Sequence, residues 1–181
     1  KQTIIAAFSI IVTVILGLWA IVIAIRYNRN VKVTYAHENA IALTDDITQN
    51  FPNLNITYYG QTISENLVIL KGYFINRGKK DISQEMVEQQ ITISLPDNYE
   101  WVECKVVESS PSLRASVTKI DKTKISFDTG LWKSKEYMKF EALAKVPVVI
   151  ADSDHLTVIR PADRLRKSLS FTHRIADSAK I

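Results

Sequence analysis

Residues 66–76 read NLVILKGYFIN, a run with a single charge, Lys71, set between two asparagines. Val68, Leu70 and Phe74 fall on one parity, and Leu67, Ile69, Tyr73 and Ile75 on the other. Successive side chains of a β-strand point to opposite sides of the sheet. A short apolar run on both parities, bounded by turn-forming residues, therefore predicts a central strand covered on both faces.

Outward from this run the pattern turns to strict alternation. Ile91, Ile93 and Leu95 alternate with Thr92 and Ser94, and Val102, Cys104 and Val106 alternate with Glu103 and Lys105. The same period of two runs through Leu113, Ala115 and Val117, through Ile125 and Phe127, through Met138, Phe140, Ala142, Ala144 and Val146, and through Leu169, Phe171 and Ile175. Each segment predicts a strand with one dry and one wet face. The punctuation agrees: NRGKKD offers Gly78 for a positive φ, LPDNY supplies Pro96, Asp97 and Asn98, and DKTK sits between two alternating runs as a tight hairpin link. Half-buried strands cannot dry one face alone, so two sheets stacked about 10 Å apart are expected. The expected fold is mainly β: an immunoglobulin-like β-sandwich over residues 31–181. Two stretches stay open, HENAIALTDDITQNF as a bulged strand or a short helix, and IRPADRLRKSL as a loop or one helical turn.

Upstream the chain changes character. Residues 4–25, IIAAFSIIVTVILGLWAIVIAI, carry no charge over 22 positions. A bilayer core of about 30 Å takes about 20 helical residues, so this segment predicts one N-terminal transmembrane α-helix within an anchor of residues 1–30. It is longer than the apolar region of a cleaved signal, about 7 to 15 residues. Arg26, Arg29 and Lys32 follow it and only Lys1 precedes it. Cations in short flanks favour the cytoplasm, which predicts a single-pass protein of the inner (plasma) membrane with its soluble domain cytoplasmic. Ser9, Thr13 and Gly17 recur every four residues, a face of small residues where another helix could approach, so a homo-oligomer or a protein partner joins the lipid bilayer among the expected contacts.

The order of NLVILKGYFINRGKKDI, VVESSPSL, KISFDTGLW and THRIADSAKI resembles a set of uncharacterised bacterial membrane-anchored proteins with a strand-rich domain. In that pattern a strand ends in an Asn-x-Gly turn, here Asn76, Arg77 and Gly78. An isoleucine follows, here Ile82, then a strand, a Glu-Ser-Ser-Pro-like stretch, a hairpin and a terminal Arg-Ile strand, here Arg174 and Ile175. The resemblance spans about residues 31–181 and implies an architecture; it brings no catalytic residues. The chain departs from it at GLWKSKEY, where an Asn-x-Gly-Asp turn is usual, and in the insertion PVVIADSDHLTVIRPADRLRKS.

Composition narrows the chemistry. Beyond residue 25, 22 lysines and arginines face 19 acidic residues, too even a balance for a nucleic-acid binder, and no DNA is expected. The single cysteine, Cys104, excludes an intrachain disulfide framework and sits on an apolar strand face, where thiols are inert. His37, His155 and His173 lie far apart. Asp152, Asp154 and His155 lack the remaining positions of a calcium loop, and RGKKD lacks the glycine and hydroxyl of a phosphate loop. No catalytic residue, no metal site and no cofactor is expected.

The one feature that invites a ligand is RPADRLRK, which sets Arg160, Arg164, Arg166 and Lys167 within eight residues, offset only by Asp163. Guanidinium forks suit phosphate or carboxylate, so a nucleotide ligand or a partner phosphate is one reading; anionic head groups and a merely solvated edge are the others. The functional expectation is a non-enzymatic membrane-anchored module that binds a partner or senses a ligand at the cytoplasmic face. The alternatives are an oligomerising membrane effector of antiphage defence triggered by an anionic nucleotide, and an extracytoplasmic adhesion or envelope module.

Overall fold

A computed structural model describes residues 12–23, 30–44, 56–63, 65–148 and 159–176. The chain divides into two compact units, Lys1–Asn30 and Val31–Ile181. In the first, residues 12–23 form a helix, α1, whose side chains are all exposed. At about 1.5 Å per residue the described residues of α1 account for about 18 Å. Among the described residues no helix is long and apolar enough to cross a membrane. Residues 4–11 and 24–25 of the expected span lie outside the described residues.

Among the described residues, the second unit is built of two four-stranded antiparallel sheets packed face to face. Its strands are β1 (Val33–Ala42), β2 (Thr57–Tyr58), β3 (Gln61–Thr62), β4 (Asn66–Asn76), β5 (Val87–Ser94), β6 (Glu100–Ser109), β7 (Ala115–Lys119), β8 (Lys124–Thr129), β9 (Tyr137–Val146) and β10 (Ser170–Ile175). One sheet runs β1-β4-β9-β6, the other β10-β5-β8-β7, and β2 and β3 form a separate hairpin. Phe74 and Phe140 of the first sheet meet Phe127 of the second, with centroids 5.2 and 4.9 Å apart, and Tyr35 meets Phe171 at 4.4 Å. Aromatic faces and edges thus fill the space between the layers.

The run 66–76 is an interior strand, as its apolar content predicts, but only one of its faces is dry along its whole length. Val68, Leu70 and Phe74 are sealed; on the other parity Leu67 is buried too, whereas Ile69, Lys71, Tyr73 and Ile75 are half-exposed. A two-layer sandwich covers each sheet once, so the outer parity of even a central strand meets solvent. The segment HENAIA resolves as strand: β1 runs through it to Ala42 with a register shift between His37 and Asn39, Leu43 and Thr44 bend away, and residues 45–51 of the stretch lie outside the described residues. In β6 a shift between Trp101 and Glu103 moves the phase. Trp101 is sealed in the core and Val102 lines the outer side, the reverse of simple alternation.

The Asn-x-Gly turn proves to be a knot. Asn76 is fully buried; its amide nitrogen donates to the Lys80 and Trp132 carbonyls at 3.0 and 3.2 Å, and its side-chain oxygen accepts the Gly78 N–H at 3.0 Å. The Trp132 indole N–H donates to the Glu136 carbonyl at 2.8 Å, and Ile82 pairs with Trp132 in an isolated bridge. Gly78 is not among the positive-φ residues, contrary to expectation; its N–H also reaches the Lys32 carbonyl at 3.2 Å. The left-handed position lies across the knot at Lys135, φ 70°, inside the GLWKSKEY stretch that departs from the Asn-x-Gly-Asp pattern.

RPADRLRKSL is neither a loop nor a single turn. Pro161–Ser168 form helix α2, begun by a proline in its first turn and carrying Arg166 and Lys167 in its last. Leu165 is fully buried in the core and Ala162 and Leu169 pack beside it. The helix lies against β1, β4 and β9.

Candidate functional site

Helix α2 gathers the cations expected to bind an anion, but not on one face. Arg160, Arg164 and Lys167 follow one another at helical spacing, four and three residues apart. Arg160 and Lys167 are exposed, while Arg164 is half-buried with its Nε enclosed and unpartnered. Arg166 sits on the other flank and pairs with Asp163 at 3.7 Å.

Below that flank β1 turns Tyr35 and His37 inward. They fit because the strand opposite carries Gly72: a Cβ there would lie 2.7 Å from Tyr35 Cε2 and 3.2 Å from Phe140 Cζ. The Tyr35 hydroxyl and His37 Nδ1 are both enclosed without a hydrogen-bond partner. Burial pushes the Tyr35 hydroxyl up to about 12, against the opposing pull of Arg166. Burial, then the Arg166 charge, holds His37 below its ordinary 6.5, with Asp163 pulling the other way. The arrangement is a cationic surface on a helix above a small set of unsatisfied polar atoms.

A second feature escaped the sequence reading. The hairpin of β2 and β3 turns at Tyr59 and Gly60, with φ of 48° and 79°, the two left-handed positions of a type I′ turn. The Tyr58 hydroxyl donates to Glu103 Oε2 at 2.6 Å and fastens the hairpin to the outer face of the β1-β4-β9-β6 sheet; that bond raises Tyr58 to about 12. Between hairpin and sheet lies a cleft of about 220 Å³ with Val102 and Ile63 among its walls. Glu100 faces it with its two carboxylate oxygens 3.6 and 3.5 Å from the ammonium groups of Lys119 and Lys145. The Tyr58 and Tyr59 rings meet edge to face at 4.7 Å and 89°. The only signal in the sequence is Tyr-Tyr-Gly, and strands of two residues are too short to show alternation.

The remaining candidates do not converge. Asp152, Asp154, His155 and Ser9 lie outside the described residues. Thr13 and Gly17 are exposed on α1, and nothing comes within 4 Å of a Cβ built on Gly17. Cys104 is half-buried, packs against the core, and is raised above its ordinary value by burial. Among the described residues no three His, Cys, Asp or Glu side chains are grouped to hold a metal ion. Compared with protein-family models, with curated proteins and with solved structures, the chain matches none.

Proposed function

We propose that the protein is a non-enzymatic, single-pass membrane-anchored module, immunoglobulin-like in build, that binds a partner or senses an anionic ligand at the cytoplasmic face of the inner membrane. The observation that carries the reading is α1. Leu16, Leu18, Trp19 and Ile21 are each more than half exposed on a helix apolar all round, inside an uncharged run of 22 residues. A surface of that kind is stable against lipid and unstable in water. The α2 cations supply the recognition, since arginines at helical spacing present several donors to one phosphate or carboxylate. The test is fractionation of the full chain with a reporter fused after Ile181. Recovery in the membrane fraction, released by detergent and not by salt, with a cytoplasmic reporter signal, is expected. Recovery in the soluble fraction overturns the anchor, and an external reporter signal overturns the topology.

A further inference from the structure

We infer that the cleft beneath the β2-β3 hairpin binds a single nucleotide unit, with its base stacked on Tyr59, its phosphate between Lys119 and Lys145, and its ribose hydroxyls on Glu100. Tyr59 is 90% exposed and holds φ 48°, a backbone state that asparagine or glycine occupies at less cost. A large ring displayed at a strained turn contributes little to folding, and strain of this kind collects where a side chain meets a ligand. The edge-to-face contact with Tyr58 leaves ring surface open for stacking. Aromatic faces accept any base, because every base has a π-face.

The polar side of the cleft complements the remainder of a nucleotide. Lys119 and Lys145 hold Glu100 from either side at 3.6 and 3.5 Å, loose pairs at a partly exposed surface that contribute little to stability. Both ammonium groups can turn to a phosphate at small cost, and lysine serves phosphate as a mobile point charge. The carboxylate left between them accepts hydrogen bonds from vicinal hydroxyls, as acidic side chains do toward ribose. A bare anion would need the lysines without the ring, and a neutral aromatic the ring without the lysines. The cleft, about 220 Å³ and open on one side, is of the order of one nucleotide unit.

The inference rests on the sandwich being a binding module, and it places the ligand on the outer side of the sheet whose inner side α2 packs against. The same chemistry could arrive as a free nucleotide or as the end of a single-stranded RNA. The experiment titrates the full chain in detergent micelles with adenosine 5′-monophosphate, with adenosine and ribose 5-phosphate separately, and with a hexamer of adenylate. Saturable binding of the monophosphate is expected, with each fragment at least about tenfold weaker. Tyr59→Asn, which suits the turn and keeps the hairpin, should weaken binding about tenfold, since stacking on one base spans roughly 5- to 150-fold. Lys119→Ala should weaken it as well. Equal affinity for monophosphate and hexamer assigns the free nucleotide; a tighter hexamer with a steeper salt dependence assigns the strand end. No saturable binding of the monophosphate, or binding that survives both Tyr59→Asn and Lys119→Ala, overturns the cleft. Fractionation of the same chain is independent of that result, so the cleft can fail while the anchored-module reading stands.

Discussion

Two regions of the sandwich treat buried polar groups in opposite ways. Around Asn76 both side-chain ends are bonded, the Trp132 indole has its carbonyl, and Ser134 donates to the Gly78 carbonyl while its own N–H reaches Asp81. Beside α2 the Tyr35 hydroxyl, His37 Nδ1 and Arg164 Nε are enclosed with no partner. An enclosed donor or acceptor left unpaired costs about 1–3 kcal/mol. The first region therefore stabilises the fold and fixes the register of β4 against β9; the second holds a cost that the core beneath it has to offset. Satisfied polar networks make a scaffold, and unsatisfied ones mark where something is still to be met.

The sharpest way to break this contrast is Asn76→Ala. It removes three hydrogen bonds from a fully buried side chain, while the Gly78 N–H keeps the Lys32 carbonyl and the Trp132 carbonyl keeps the Ile82 N–H, for a loss of about 2–3 kcal/mol. Denaturant unfolding followed by tryptophan fluorescence measures it; a loss below about 1 kcal/mol would show that the knot is ornamental. Next comes Leu165→Ala. Leu165 is fully buried, and truncating such a leucine costs about 2–5 kcal/mol. A near-neutral result would mean that α2 rests on the sandwich without joining its core, and the cationic surface would lose its rigid support.

On the open side the sign reverses. Tyr35→Phe keeps the ring against Phe74 and Phe171 and deletes the unpaired hydroxyl, so stability should rise by about 1 kcal/mol. A loss of similar size would show that the hydroxyl is bonded in solution. Lys135→Gly plays the same part inside the closed region. Lys135 holds φ 70°, which costs a non-glycine residue about 1–2 kcal/mol, while glycine gives back part of the gain through a more flexible unfolded chain. A net rise of about 0.5–1 kcal/mol is expected, read as a shift in the unfolding midpoint.

How much of this could be read in advance depends on what each residue's neighbours average out. The strands were legible because period-two alternation repeats over several residues, and the interior place of 66–76 because its partners must be apolar too. The place of Val102 in β6 was not, since a register shift between Trp101 and Glu103 puts Trp101 in the core and Val102 outside, while Cys104 and Val106 keep the expected inner face. Helix α2 was obscured because Pro161 and Leu165 are the only fully buried positions among charges. The basic residues were found as a group, yet their division between two flanks needs the helix axis. The cleft was missed for a different reason: its lining comes from Tyr58, Glu100, Lys119 and Lys145, which only the sheet topology brings together.

The smallest effect belongs to pH and tests whether the open region is felt by the whole unit. His37 titrates below its ordinary 6.5 in the folded state because burial and Arg166 both disfavour the imidazolium, with Asp163 in partial opposition. Between the folded and the unfolded value the unfolded chain binds more protons, so stability rises with pH there. The neutral imidazole's contribution is complete above 6.5 and is lost as pH falls from 6.5 to below the depressed value. Glu141 and Glu108, held below 4.5 by hydrogen bonds to Lys71 and Tyr137 respectively, and Asp121, held below 3.8 by Thr123, lose their contributions in a lower and separate range. Unfolding midpoints of the wild type and His37→Gln, compared from pH 7.5 down to 5, should therefore converge as the wild type loses ground and the variant does not. The change stays small, because a half-exposed imidazole is partly screened by water. Parallel profiles would place His37 in solvent and remove it from the unsatisfied set, leaving the Tyr35 hydroxyl and Arg164 Nε to carry the contrast.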